Sequence, residues 1–185
     1  MKKTVWVVDP MHSEVSFKVR HLMITNVTGL LTDYNIVAVS YNENFVDCEV
    51  TFKANAKSIN TGNADRDKHL RSSDFFDVEE NSEIIFKSSG LQQVRSMSGI
   101  FNEKAFILYG DLTIKRTTKP IILDVLFHGL ATSSGVVKAG FSVSGKISRN
   151  EFGLTWNQTL ESGGVMVSDE VKITCEIQMT KGAEA

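Results

Sequence analysis

Between Val46 and Ser58 the chain alternates without a slip. Val46, Cys48, Val50, Phe52, Ala54 and Ala56 take one parity, and Asp47, Glu49, Thr51, Lys53, Asn55 and Lys57 take the other. A period of two is the mark of a strand with one buried face, because successive side chains of an extended chain point to opposite sides. The pattern recurs along the sequence. Val15, Phe17 and Val19 oppose Glu14, Ser16, Lys18 and Arg20 in the run His12 to His21. Gly29 to Tyr41 is a second long β run with ambiguous parity. Ile84 and Phe86 share a face in a short strand, and Leu91 to Phe101 forms another that turns at Asn102-Glu103-Lys104. The return, Ala105 to Lys115, carries Phe106, Leu108, Leu112 and Ile114 on one parity, with Gly110 marking a bend or a close approach of backbone. Thr117-Thr118-Lys119-Pro120 breaks the run. Ile121, Leu123, Val125 and Phe127 then share a face, as do Val137, Ala139, Phe141, Val143 and Ile147 opposite Lys138, Ser142, Ser144 and Lys146. A long polar connection from Ser148 to Ser168 precedes the last strand, Glu170 to Met179, and the tail after Lys181 reads as loose.

These runs make about ten strands with no helical crossovers between them, which argues against a parallel sheet. Antiparallel strands apolar on one face must bury that face once, in a sandwich or a closed barrel. Strands of about ten residues or more favour the barrel, which also abolishes exposed edges. The 185 residues, 42% hydrophobic and 23% charged, fit a single domain spanning 1–185. A net charge of −2, with no basic run longer than Lys115-Arg116 and Lys119, argues against a nucleic-acid partner. The sequence has no apolar run long enough to be an integral membrane segment. Lys2 and Lys3 look like the start of a leader, but Asp9 ends the apolar run Val5 to Val8 too early for one. The expectation as the sequence stands is a cytoplasmic protein, or a periplasmic one if a leader has been removed. Cys48 and Cys175 have no metal-site spacing and read as small buried hydrophobes. The four histidines, His12, His21, His69 and His128, match no ligand motif, so the metal expectation is none. No Gly-x-Ser-x-Gly elbow occurs, and the sequence offers no catalytic set.

One stretch is not strand-like. Ser58 to Asp77 is the densest run of charge, and it reads as a short helix near residues 63–72. Asn63 is its N-cap, Asp65 and Asp67 fall in the first turn, and Lys68, His69 and Arg71 in the last, the order the helix dipole favours. Asp67 and Arg71, four apart, are placed to pair. Phe75-Phe76 follow as an apolar heel.

Several phrases together resemble the YceI-like family of polyisoprenoid-binding, lipocalin-like proteins. They are His12 to Leu22; Ser58-Ile59-Asn60-Thr61-Gly62-Asn63; Arg66 to Ser72; Asp74-Phe75-Phe76-Asp77; Gly110 to Lys115; Thr118-Lys119-Pro120; Arg149 to Leu154; and Ser168-Asp169-Glu170-Val171. The resemblance covers nearly the whole chain. It departs at Glu80-Asn81-Ser82, where the family often has a proline, and at Arg116, where a small residue is usual. The resemblance implies an extended antiparallel β-barrel of about eight main strands with one short helix near one end. It also implies an apolar cavity for a polyisoprenoid, an isoprenoid quinone or a fatty amide, with no cofactor besides bound lipid, a transport role, and compatibility with a homodimer.

The inward parities give the expected lining: Phe17, Val19, Val50, Phe52, Phe75, Phe76, Phe86, Leu112, Phe127, Phe141 and Val143. Arg66, Asp67, His69 and Arg71 are the candidates for a head-group contact at the mouth. The functional expectation is a non-enzymatic lipid carrier. The alternatives are an enzyme acting on a lipid or small apolar substrate at the mouth, and a solid-core interaction or stress-response module. Phe141→Asp on the inner face should disturb binding or folding, and Lys138→Asp on the outer face should not.

Overall fold

The structure, a computed structural model, describes residues 3–42, 44–94, 104–161 and 163–184. Among these residues, eleven strands form one antiparallel sheet. They are β1 (Thr4–Val8), β2 (Glu14–His21), β3 (Thr25–Leu31), β4 (Tyr34–Ser40), β5 (Glu49–Asn55), β6 (Ile59–Asn60), β7 (Glu83–Val94), β8 (Lys104–Ile114), β9 (Thr117–Ser133), β10 (Val136–Ser148) and β11 (Val167–Glu184). Among the described residues there is one α-helix, α1, spanning Ala64–Arg71. Three pairs are broken halves of one stave. β1 and β2 run the same way along β11 with a 3-10 turn at Pro10–His12 between them. β3 and β4 follow them in the next stave, and β5 and β6 in the one after. The result is a closed barrel of eight staves, sealed where β11 meets β1 and β2.

The registers place the chain ends, the β4–β5 loop and the β9–β10 turn at one end of the barrel. The β2–β3 and β8–β9 turns, α1 and the connection 149–166 lie at the other. The core follows the inward parity of each strand. Phe106, Leu108, Leu112 and Ile114 of β8, Leu123, Val125 and Phe127 of β9, and Cys175, Ile177 and Met179 of β11 are all buried. Trp6 of β1 is the largest fully buried side chain, and its indole N–H donates to Ser40 Oγ at 2.9 Å, satisfying both groups.

Several boundaries differ from the sequence expectation. The run with the cleanest alternation is a strand only from Glu49 to Asn55. Phe45 and Asp47, at φ 59° and 66°, leave the extended region before it, and Ala56–Ser58 curl into a 3-10 turn after it. Gly29 to Tyr41 is two strands, interrupted at Thr32-Asp33. The short Ile84 strand and the start of the Leu91 run are one strand, β7, with a bulge between Ser88 and Gly90. The rest of that run, and Asn102 and Glu103 of its turn, lie outside the described residues, while Lys104 opens β8. Thr117 to Pro120 does not break a strand but begins β9, and the turn is Lys115-Arg116. Pro120 is tolerated there because it faces only Asp111 of β8, and β10 joins β9 no earlier than Leu123. The tail after Lys181 is paired, since Glu184 is the partner of Thr4. Arg116 and Glu80, two of the departures from the family pattern, face each other on the surface at 3.8 Å.

Candidate functional site

The barrel encloses a cavity of about 170 Å³ bordered by apolar atoms alone. Two rows of inward side chains form its girdle. Ile36, Phe52, Phe86 and Leu112 are cross-strand partners in succession over β4, β5, β7 and β8. Phe106, Val125, Val143, Cys175 and Val15 continue the belt over β8, β9, β10, β11 and β2. Burial pushes the thiols of Cys48 and Cys175 up to about 12, so both border the cavity as neutral groups. Both are free cysteines.

Each end is stopped by aromatic rings. At the end holding the chain termini, Phe45 is 2% exposed and packs within 5.1 Å of the rings of Trp6, Phe127 and Phe141. At the other end, His69, Phe75 and Trp156 meet as a triad with centroids 4.7 to 5.3 Å apart. The connection that delivers Trp156 is shaped by Arg149, which is 4% exposed. Its guanidinium donates to the carbonyls of Ser168, Leu154, Trp156 and Val167. The barrel wall also has a seam. Beyond Leu123 and Gly145, toward α1, β9 and β10 no longer pair. An open cleft of about 510 Å³ lies there, with Ile122, Lys146, Glu151, Asp169 and Glu170 on its rim. Ile121 borders both this cleft and the interior cavity.

Of the expected lining, Val50, Phe52, Phe86, Leu112, Phe141 and Val143 border the cavity. Phe17 and Val19 do not. They share the parity of Val15 but sit farther along β2, where the Phe17 ring lies over Gly29. Phe127 is buried behind Phe45, and Phe75 and the partly buried Phe76 belong to the α1 end. The sequence reading passed over Phe45, Ile36, Ala38, Leu91 and Ile121, all of which border the cavity. Phe45 has no strand neighbour to give it a parity, and the ambiguous alternation of Gly29 to Tyr41 hid Ile36 and Ala38.

The charged helix is tied down locally. Asn63 caps it, its side chain accepting from Arg66 N–H at 2.9 Å. Asp67 is buried and accepts from the Thr61 amide at 2.9 Å and the Thr61 hydroxyl at 2.5 Å. The expected Asp67–Arg71 pair is therefore replaced. Arg71 instead donates to the carbonyls of Lys57 and Ile59, joining α1 to β6. Arg66 donates to the hydroxyl and carbonyl of Thr61. His69 Nε2 lies 2.9 Å from Asp74 Oδ2. Lys138 is not a neutral outer-face position, because its ammonium is 3.0 Å from Asp9 Oδ2.

A family model described as the YceI-like domain matches residues 6–179. The chain belongs to the YceI-like family. Among curated relatives, this YceI-like domain is 34% identical to a UPF0312 protein of Staphylococcus epidermidis, over 93% of this chain and 95% of the relative. It is 32% identical to one from Staphylococcus aureus over the same shares. Among solved structures, the YCEI protein of Campylobacter jejuni matches with a TM-score of 0.73 at 29% identity, covering 90% of this chain and 91% of that one. A polyisoprenoid binding domain from Saccharophagus degradans shares the fold, with a TM-score of 0.65 at 13% identity over 96% and 98% of the two chains. Among the described residues, no helix of this YceI-like domain is long and apolar enough to cross a membrane.

Proposed function

We propose that this YceI-like domain is a non-enzymatic carrier that holds the chain of an amphipathic lipid of isoprenoid type inside its barrel. One observation carries the reading: the girdle of large side chains does not close on itself but leaves a void lined by apolar atoms alone. Natural interiors are close-packed, and an apolar void of this size stays dry and takes up an apolar guest. The family membership supports the reading, and so does the name of the Saccharophagus neighbour. At about 170 Å³ the void takes roughly one isoprene-sized or benzene-sized group as it stands. Each five-carbon unit buried contributes ~4 kcal/mol by transfer bookkeeping. A longer chain enters by displacing the half-buried rings Phe52 and Phe141, which border the void without being fully locked. Ile121 is the gate in this reading, because its side chain borders both the void and the β9–β10 cleft. The α1 end, with Arg66, Asp67, His69 and Arg71, is the side on which we place the ligand's polar end.

The test is direct. Solvent extraction of the purified protein followed by mass spectrometry should return a long-chain lipid. A polarity-sensitive naphthylamine fluorophore should bind and be displaced by geranylgeraniol. Phe141→Asp should abolish uptake, with circular dichroism reporting whether the barrel persists. Lys172→Asp, an exposed outer-face change between Lys18 and Lys146 in the ladder, should leave uptake unchanged. No extracted lipid together with no fluorophore uptake would overturn the proposal. The transport role and a homodimer rest on the family resemblance and are part of the same proposal, as is a location in the cytoplasm, or in the periplasm if a leader has been removed. Cell fractionation tests the location and light scattering the homodimer.

A further inference from the structure

Among the described residues, one buried side-chain polar atom has no hydrogen-bond partner: the hydroxyl oxygen of Tyr34. Tyr34 opens β4 on the parity of Ile36 and Ala38, both of which border the cavity. Its row is the next one toward α1, where it faces Ala54, which in turn faces Ile84. Its ring lies 6.4 Å from that of Phe52, a cavity residue. Burial first, then the neighbouring Cys175 and Glu14, raises the phenol pKa, so the group stands as a protonated donor. A buried hydroxyl with no partner forfeits its hydration for nothing in return, and phenylalanine would fill the same space without that loss.

We propose that Tyr34 Oη donates a hydrogen bond to an uncharged oxygen of the bound lipid, a carbonyl, ether or hydroxyl, held inside the barrel at the α1 side of the cavity. The ligand class is then an oxygenated isoprenoid whose polar atom is buried, and not one whose ionised phosphate occupies this place. An anion there would meet no cation among the cavity residues, and Glu14, whose charge reaches the phenol, carries the same sign. This inference rests on the barrel being a lipid container, and the experiment separates the two.

The probes are acetophenone and its oxygen-free isostere α-methylstyrene, both of a size for the void. Their dissociation constants are measured by calorimetry on the wild-type protein and on Tyr34→Phe. The expected result is a ketone affinity about five- to tenfold weaker in Tyr34→Phe, with α-methylstyrene changed less than about twofold. The infrared carbonyl band of bound ¹³C-acetophenone should lie at lower frequency in the wild type than in the variant. Binding of both probes with no difference between wild type and variant would overturn the inference and leave the container intact. Binding of neither probe would overturn the inference, and if no lipid is extracted and no fluorophore is taken up either, the container as well. A fall in the melting temperature of ligand-free Tyr34→Phe, with ketone binding unchanged, would give the hydroxyl to a structural water and also overturn the inference. A melting temperature unchanged or raised agrees with it.

Discussion

Gly110 shows how close two strands come when a ring must pass between them. A Cβ built there would lie 2.3 Å from the Phe86 ring and 2.5 Å from the Lys87 carbonyl oxygen. The ring cannot yield without entering the cavity, and the carbonyl cannot yield without bending β7. Gly110→Ala should therefore lower stability by about 1–3 kcal/mol in urea titration and weaken fluorophore uptake as Phe86 is driven inward. Gly29→Ala should cost less, since its nearest neighbours are atoms of the half-buried Phe17 ring, which can swing outward. The glycine at 110 was legible as a bend or a close approach, and the structure shows the approach. The height of a residue along the barrel was not legible. Parity says which face a side chain takes, and Val15, Phe17 and Val19 take the same one. Only the register with β11 decides that Val15 reaches the cavity and the other two do not.

The connection 149–166 behaves as an element although it is almost devoid of regular structure. Arg149 replaces a ladder of backbone hydrogen bonds with one guanidinium that reaches four carbonyls. A lysine keeps the charge but has no fork to span them. Arg149→Lys should destabilise the barrel by about 2 kcal/mol and shift Trp156 emission to the red as the aromatic triad loosens, read by fluorescence-monitored denaturation. Ser148 to Ser168 was legible as a long polar connection, but its buried arginine was not, because carbonyl acceptors carry no side-chain signature. α1 divides in the same way. Its cap and the order of its charges were readable, since both depend on neighbours within one turn. The partners of Asp67 and Arg71 were not, since Thr61, Lys57 and Ile59 come close only after the chain has folded back.

At the scale of the molecule, closure depends on a break. The first stave is interrupted between β1 and β2, and Asp9 occupies the gap. Its carboxylate accepts from Lys138 of β10 at 3.0 Å, from His12 at 3.0 Å and from Gln178 of β11 at 2.8 Å. The Lys138 hydrogen bond first, then those from His12 and Gln178, brings its pKa to about 2. A carboxyl held below its unfolded value stabilises the fold above that value, and the contribution disappears as pH falls through the folded one. The urea midpoint of the wild type should therefore drop between pH 4 and pH 2 more steeply than that of Asp9→Asn. Parallel curves would show that Asp9 contributes nothing to closure.

The strand that seals the barrel, β11, follows all ten of the other strands described, and that fixes an order in time. Both β1 and β2 find their partners only in residues 167–184, across nearly the whole length of the chain. During synthesis the first stave leaves the ribosome before β11 does and has one side unpaired until residues 167–184 have emerged. Contacts of such separation are slow to form, and an open strand edge is what chaperones and aggregates both capture. The barrel is thus most exposed to misassembly in the interval before β11 appears, and the pairing of β11 with β1 and β2 ends that exposure.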